Sequence, residues 1–204
     1  LENKIFFSNI KKKLQSVINS GKYILGQEVG NFEKNFSKFI GCKYCVGVNS
    51  GTDALIIALR ALKVGKNDEV IVPALSASAT AIAVKNVGAK IVYADLDINT
   101  YNITAKTVKS KISKKTKAII VVHLHGLSAD VLSIKKIIKN TKIKIIEDCA
   151  QSHGSKLNNK YTGNVGDIGC FSFYPTKNLN CIGDGGAITT NNKGVFNLAK
   201  KIRQ

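Results

Sequence analysis

The sequence predicts an α/β protein in three layers, a mostly parallel central sheet with helices on both faces. Two observations carry this. From Lys43 onward, short apolar runs alternate with helical stretches. The runs are apolar at nearly every position, as in Ala118-Ile119-Ile120-Val121-Val122, whereas a strand with one wet face would alternate. Strands buried on both faces and interleaved with helices give a parallel sheet covered on two sides. A chain of 204 residues has room for one large domain or two small ones. No internal repeat, Pro-rich linker or low-complexity block divides it.

The elements follow in order. Residues 1–40 read as helical and partly amphipathic, with Ile10, Leu14, Val17 and Ile18 on one face. Gly21 and Gly26 break the run, and a second helical stretch covers Val29 to Phe39. Lys43–Val48 is a short strand, Asn49-Ser50-Gly51 a turn, and Thr52-Asp53 opens a helix through Leu62. Strands are expected at Glu69–Pro73, Lys90–Ala94, Lys117–His123, Ile143–Glu147, Ile168–Phe173 and Gly186–Thr190. Helices are expected at Ser76–Val87, Ala105–Ile112 and Ala129–Lys139. Gly163, Gly166 and Gly169 read as loop and turn glycines. In such sheets ligands bind beyond the carboxyl ends of the strands, so the residues that follow strands come first in the search for chemistry.

Composition narrows the function classes. Hydrophobic residues at 44% and charged residues at 22% fit a globular fold and exclude disorder. No apolar run reaches the ~18 residues of a membrane helix. No opening stretch has the pattern of a secretion signal, and a cytoplasmic protein is expected. The chain holds no methionine, begins at Leu1, and ends in Lys200-Lys201-Ile202-Arg203-Gln204, which reads as an interrupted helix. A piece of a longer protein is therefore expected. The net charge of +18 would ordinarily suggest nucleic acid or an anionic membrane. Only Arg60 and Arg203 of the 31 basic residues are arginine, however, and nucleic-acid recognition favours the planar guanidinium fork. The lysines coat solvated faces, so neither nucleic acid nor membrane is expected as a partner. What remains is a positive field that attracts anionic substrates such as nucleotide phosphates.

The five cysteines build no framework. Cys42 and Cys45 form a lone C-x-x-C without a second pair at zinc spacing. Cys149, Cys170 and Cys181 lie among apolar residues and read as small buried hydrophobes. An odd count fits a reducing compartment. His123 and His125 make an H-x-H pair, but no third ligand is spaced to complete a metal site, so no metal is expected.

Three segments carry chemistry. In Asn49-Ser50-Gly51-Thr52-Asp53, Gly51 permits close backbone approach and the helix behind it offers free N–H groups, an arrangement suited to phosphate. No G-x-G-x-x-G or Walker pattern is present. In Ile145-Ile146-Glu147-Asp148, two carboxylates end an apolar strand and need a partner. Asp148 can face a protonated ring nitrogen, Glu147 alternates to the other side, and either can instead hold the following turn. In Ser172-Phe173-Tyr174-Pro175-Thr176-Lys177, the lysine lies among aromatics and glycines. A partly desolvated lysine becomes a nucleophile toward carbonyls.

Together these segments resemble the DegT/DnrJ/EryC1/StrS family of pyridoxal-phosphate (PLP) sugar aminotransferases. The most specific string is Ser172 through Leu179 with Gly183-Asp184-Gly185-Gly186. Ser50 through Leu55, Asp68 through Pro73, Val122 through Gly126 and Glu147 through Gly154 match in the family's order, across essentially the whole chain. The resemblance implies the large domain of a fold-type I aminotransferase, with residues 1–204 as an N-terminal segment plus most of that domain and a C-terminal small domain absent. It implies Lys177 as the residue that forms a Schiff base with PLP and moves protons. It also implies Asp148 at the pyridinium nitrogen, Gln151 beside the ring, and Gly51, Thr52 and Ser172 around the phosphate. An amino-acid donor (glutamate), a nucleotide-linked keto-sugar acceptor, a role in surface-polysaccharide or deoxyamino-sugar synthesis and a homodimer of the full-length protein are implied as well. One departure stands out: Ala77 falls where the family carries an aromatic that stacks on the ring. Retention of Lys177 argues against the family's dehydratase branch. The alternative is a non-catalytic or regulatory PLP-binding relative with the same fold.

Overall fold

The structure, a computed structural model, describes the backbone of residues 2–203 and the side chains of residues 7–203. Two helices, α1 (Glu2–Ser20) and α2 (Gln27–Ile40), precede β1 (Tyr44–Val48), α3 (Gly51–Ala61), β2 (Glu69–Pro73), α4 (Ser78–Asn86) and β3 (Lys90–Ala94). Then come α5 (Ala105–Lys109), β4 (Thr116–Val122), α6 (Val131–Ile137) and β5 (Lys144–Asp148). A small hairpin of β6 (Lys156–Leu157) and β7 (Lys160–Tyr161) leads to β8 (Ile168–Ser172), β9 (Gly186–Thr190) and α7 (Lys193–Arg203).

Seven strands form one sheet in the order β1-β9-β8-β5-β4-β2-β3. The five from β8 to β3 are parallel, and β9 runs antiparallel to both neighbours. Adjacent parallel strands need a crossover of a dozen or more residues, usually a helix. The connection from β8 to β9 contains no helix, and the chain turns straight back. The predicted mostly parallel sheet is thus present, with one reversed strand.

Side-chain alternation divides the core between the faces. Val70, Val72, Ala118, Ile120 and Ile146 pack with Leu55, Leu59 and Val84 of α3 and α4. Ile71, Ile119, Val121 and Ile145 pack with Val108, Val131 and Ile134 around α5 and α6. Both faces of the central strands are therefore dry. A third cluster joins α2 to β8: the Phe36 ring meets Phe171 edge-on at 4.9 Å and Phe173 at 5.3 Å. This cluster anchors the point where the chain leaves β8. At the far end of the chain, Arg203 binds Glu33 and donates to the Gly47 carbonyl at 3.1 Å, tying α7 to α2 and β1.

Several expected boundaries move. The helix expected from Ser76 begins at Ser78, because Ser76 and Ala77 stay in the loop. The one expected at Ala129–Lys139 spans Val131–Ile137, where the Asp130 carboxylate accepts the Ser133 N–H at 3.0 Å and fixes the start. Gly169 lies inside β8 and is not a turn glycine. The β6–β7 hairpin was not expected; Asn158 and Asn159 both adopt positive φ, as a two-residue hairpin turn of this hand requires. Cys181, expected to be buried, is only half-buried, and its thiol donates to the carbonyls of Phe173 and Gly183. The apolar side of α1 is formed as expected, but Leu14 and Ile18 remain 53% and 56% exposed.

Phe36 is 5% exposed in the aromatic cluster. Phe36→Ala is expected to lower the unfolding free energy by about 3–5 kcal/mol, read by urea denaturation. A loss below ~1 kcal/mol would show that the cluster is not integral to the core.

Candidate active site

The candidate site residues Gly51, Thr52, Asp148, Gln151, Ser172 and Lys177 end or follow strands at the carboxyl edge of the sheet, and topology explains the convergence. Because β8 ends at this edge and antiparallel β9 begins there, the segment from Phe173 to Gly185 must hang over it. Lys177 sits in that segment, half-buried, with its N–H bonded to the Tyr174 carbonyl at 2.8 Å.

Asp148 ends β5 and is buried. Its Oδ1 accepts the Ala150 N–H at 3.1 Å, so it does hold the following turn. Its Oδ2 accepts the Thr80 hydroxyl at 3.1 Å. Burial pushes the carboxyl pKa up, and the two donors, with His123 and Lys177 nearby, pull it back only in part. The Lys177 charge is thus one of the influences that favour the ionised form of Asp148.

Glu147 points the opposite way, as strand alternation dictates. Its Oε2 meets His123 Nε2 at 3.0 Å, and its Oε1 accepts the N–H groups of Val165 and Gly166 at 2.8 and 2.6 Å. Burial raises its pKa, but these donors outweigh burial and hold the carboxyl below its ordinary value. The Ala129 N–H donates to His123 Nδ1 at 3.1 Å, which assigns the ring proton to Nε2. One Cys149, His123 and Glu147 donor atom each lie within 4.8 Å of one another. The histidine and carboxylate donors are already spent on hydrogen bonds, and burial pushes the Cys149 thiol well up. The fold thus brings two further potential ligands to His123 that sequence spacing did not reveal, although the histidine and carboxylate atoms are engaged with each other.

Ser50 caps α3: its hydroxyl oxygen accepts the Asp53 N–H at 3.0 Å. Gly51 follows, and a Cβ built on it would lie 2.6 Å from the Ser172 Cβ. Only glycine lets the start of α3 lie against the end of β8 this closely. The pairing puts the first N–H groups of a helix beside the Ser172 hydroxyl, with Thr52 half-buried next in line. Across the edge, a cleft of about 430 Å³ is lined by His125, Gln151, Thr176, Lys177 and Asn178. Gln151 Oε1 accepts the His125 N–H at 2.8 Å, which fixes the amide. The His125 backbone is left-handed (φ 54°) to make this reach. Ala77 is exposed at the start of α4 and offers no ring at its position.

Two participants were not singled out in the sequence. Thr80 holds Asp148 across 68 residues of chain; its only sequence signal is a hydroxyl shortly after a strand. His153 packs between Phe171 and Phe173, and its ring nitrogens are buried with no hydrogen bond of good geometry among the described residues, the Ser172 backbone being nearby. Burial, opposed weakly by the Ser172 backbone and aided by the Lys177 charge, lowers its pKa to about 4.

The DegT/DnrJ/EryC1/StrS aminotransferase family model matches residues 6–204. The chain belongs to this family. It is 49% identical over 93% of its length to dTDP-3-amino-3,6-dideoxy-alpha-D-galactopyranose transaminase of Aneurinibacillus thermoaerophilus, of which it covers 52%. It is 46% identical over 94% of its length to UDP-2-acetamido-2-deoxy-3-oxo-D-glucuronate aminotransferase of Pseudomonas aeruginosa, again covering 52%. Among solved structures, NtdA from Bacillus subtilis with bound cofactor PMP superposes with a TM-score of 0.88 at 36% identity, over 95% of this chain and 43% of that one. The chain thus spans about half the length of the curated relatives it matches.

His153 supplies a pH test of this geometry. Its depressed value means that stability from the neutral ring is full above pH 6.5 and is lost as the pH falls toward 4. The difference in unfolding free energy between the wild type and His153→Phe is therefore expected to be flat above pH 6.5. Below it, the wild type should lose ground to the variant. A difference independent of pH would contradict the buried neutral ring.

Proposed function

We propose that this chain is the N-terminal segment and most of the large domain of a PLP-dependent aminotransferase, completed by a C-terminal small domain. The full-length enzyme transfers an amino group from an amino-acid donor, glutamate, to a nucleotide-linked keto-sugar, in the cytoplasm and as a homodimer. It serves surface-polysaccharide or deoxyamino-sugar synthesis. Support comes from membership of the aminotransferase family and from relatives whose names specify dTDP- and UDP-linked sugars. The net charge of +18 suits such anionic substrates. No described helix is long and apolar enough to cross a membrane.

The residues present fit the cofactor. A ring nitrogen that must stay protonated wants a buried carboxylate with acceptor capacity to spare, and Asp148 has one protein donor on each oxygen. A phosphate wants backbone N–H groups and a hydroxyl without intervening side chains, and Gly51 against Ser172 leaves that space. When bound, the cofactor supplies an electron sink for negative charge at the reacting carbon. With the cofactor bound, Lys177 Nζ would be the nucleophile toward its carbonyl carbon and the group that takes up and returns a proton. Asp148 would favour the protonated ring, Gln151 would contact the ring, and Gly51, Thr52 and Ser172 would hold the phosphate. The observation that carries the proposal is the buried Asp148, with one donor on each oxygen, and the Gly51–Ser172 cradle at the same sheet edge as the half-buried Lys177.

The full-length protein is expected to show a visible absorption band with PLP. Lys177→Ala should abolish that band and cut turnover by at least about 10²–10⁴-fold. A band that persists unchanged would refute the role of Lys177, and a band without turnover on any keto-sugar would favour the non-catalytic alternative. Residues 1–204 alone are expected to show no measurable transamination in the same assay; robust turnover would contradict the proposed need for a second domain.

A further inference from the structure

The mechanism leaves one buried polar group near the reacting centre without a role. Thr80 is 1% exposed, in the first turn of α4. A helical threonine commonly turns its hydroxyl back to the carbonyl four residues earlier. Here Oγ1 lies 3.1 Å from Asp148 Oδ2 and 2.8 Å from the hydroxyl of Ser76. Nor is either hydroxyl used as an N-cap, since the cap position is Ala77 and carries no side-chain hydrogen bond.

Proton counting gives the pair a direction. An ionised carboxylate only accepts, so the single Thr80 proton goes to Asp148. Thr80 then has only acceptor capacity left, and the Ser76 proton goes to Thr80. The chain Ser76 → Thr80 → Asp148 thus aims its dipoles at the carboxylate, and a hydrogen bond to a charged acceptor is about twice as strong as a neutral one. The backbone N–H of Ala150 is the other donor and acts on the other oxygen. Removing Thr80 therefore frees a specific atom, Oδ2.

We propose that Thr80, supported by Ser76, is a positioning residue that fixes the orientation of Asp148 and keeps it ionised. The role rests on the proposed PLP chemistry, but the hydroxyl chain belongs to the protein alone and can be tested without the cofactor. The other groups bearing on Asp148 are the charges of His123, which follows β4, and Lys177, and the thiols of Cys149 and Cys170; Glu147, its neighbour on the strand, points to the opposite face. None of these is altered by the substitutions below.

The test follows Asp148 itself. Carboxyl-carbon NMR of the cofactor-free full-length protein, with the Asp148 signal assigned by its loss in Asp148→Asn, gives the titration midpoint. Thr80→Val, which keeps the shape and removes the donor, is expected to raise the midpoint by about one pH unit or more. Thr80→Ser should restore it, and Ser76→Ala should shift it the same way by less. In the PLP-loaded protein, the pH profile of the visible band is expected to move in Thr80→Val and return in Thr80→Ser. A folded Thr80→Val protein whose midpoint stays within about 0.3 unit of wild type overturns the proposal. Should Thr80→Val not fold, Ser76→Ala decides by the same criterion: an upward shift supports the relay and an unchanged midpoint overturns it. If wild type shows no cofactor band while the Asp148 midpoint still shifts, the hydroxyl relay stands and the aminotransferase proposal fails.

Discussion

A carboxylate buried at the tip of β5 is the constraint around which this edge of the sheet is arranged. An ionised group out of water costs several kcal/mol unless it is paired or hydrogen-bonded. Among the described residues Asp148 has two protein donors, one on each oxygen, and the Lys177 charge also favours its ionised form. The loop of Lys177, the first turn of α4 and the turn at Ala150 all have to lie where they do for that carboxylate to be tolerated. Its incomplete compensation is what suits it to a further cationic partner.

Glu147, one residue earlier, shows the contrasting solution. It is equally buried, yet three N–H donors saturate it, and its pKa falls where that of Asp148 rises. Two adjacent carboxylates on one strand thus have opposite characters because strand alternation sends them to opposite faces. The saturated one locks β4, β5 and the loop before β8 together. The unsaturated one keeps acceptor capacity to spare at the sheet edge. Such a division, with environments that push two acids apart, is the usual physical basis for assigning one of them a functional role.

The same economy shapes the cradle. Gly51 can lie against Ser172 because α3 follows β1 and the Lys177 loop follows β8. β1 and β8 are not neighbours; β9 lies between them. The reversal at β9 therefore both carries the lysine back over the sheet and sets the spacing of the two elements on either side of it. The aromatic cluster of Phe36, Phe171 and Phe173 holds the root of that loop from the α2 side. Meanwhile Leu14 and Ile18 of α1 remain exposed, in a chain that spans half the length of its curated relatives.

Local patterns in the sequence were enough for much of this. Continuous apolar runs announced strands buried on both faces, and Ser50-Gly51, Glu147-Asp148 and Lys177 stood out because each follows such a run. Element boundaries were legible to within a few residues, and side chains set the last few, as Asp130 does for the start of α6. Hairpin β6–β7 was hidden in two positive-φ asparagines. What the linear chain could not reveal are contacts between residues far apart: the Thr80 hydroxyl on Asp148, the tautomer of His123, the buried ring of His153. Periodicity reports which face of an element is dry, because burial acts on each element as a whole. Which donor meets which acceptor depends on angles and registers between elements, and only the folded sheet with its reversed β9 sets those.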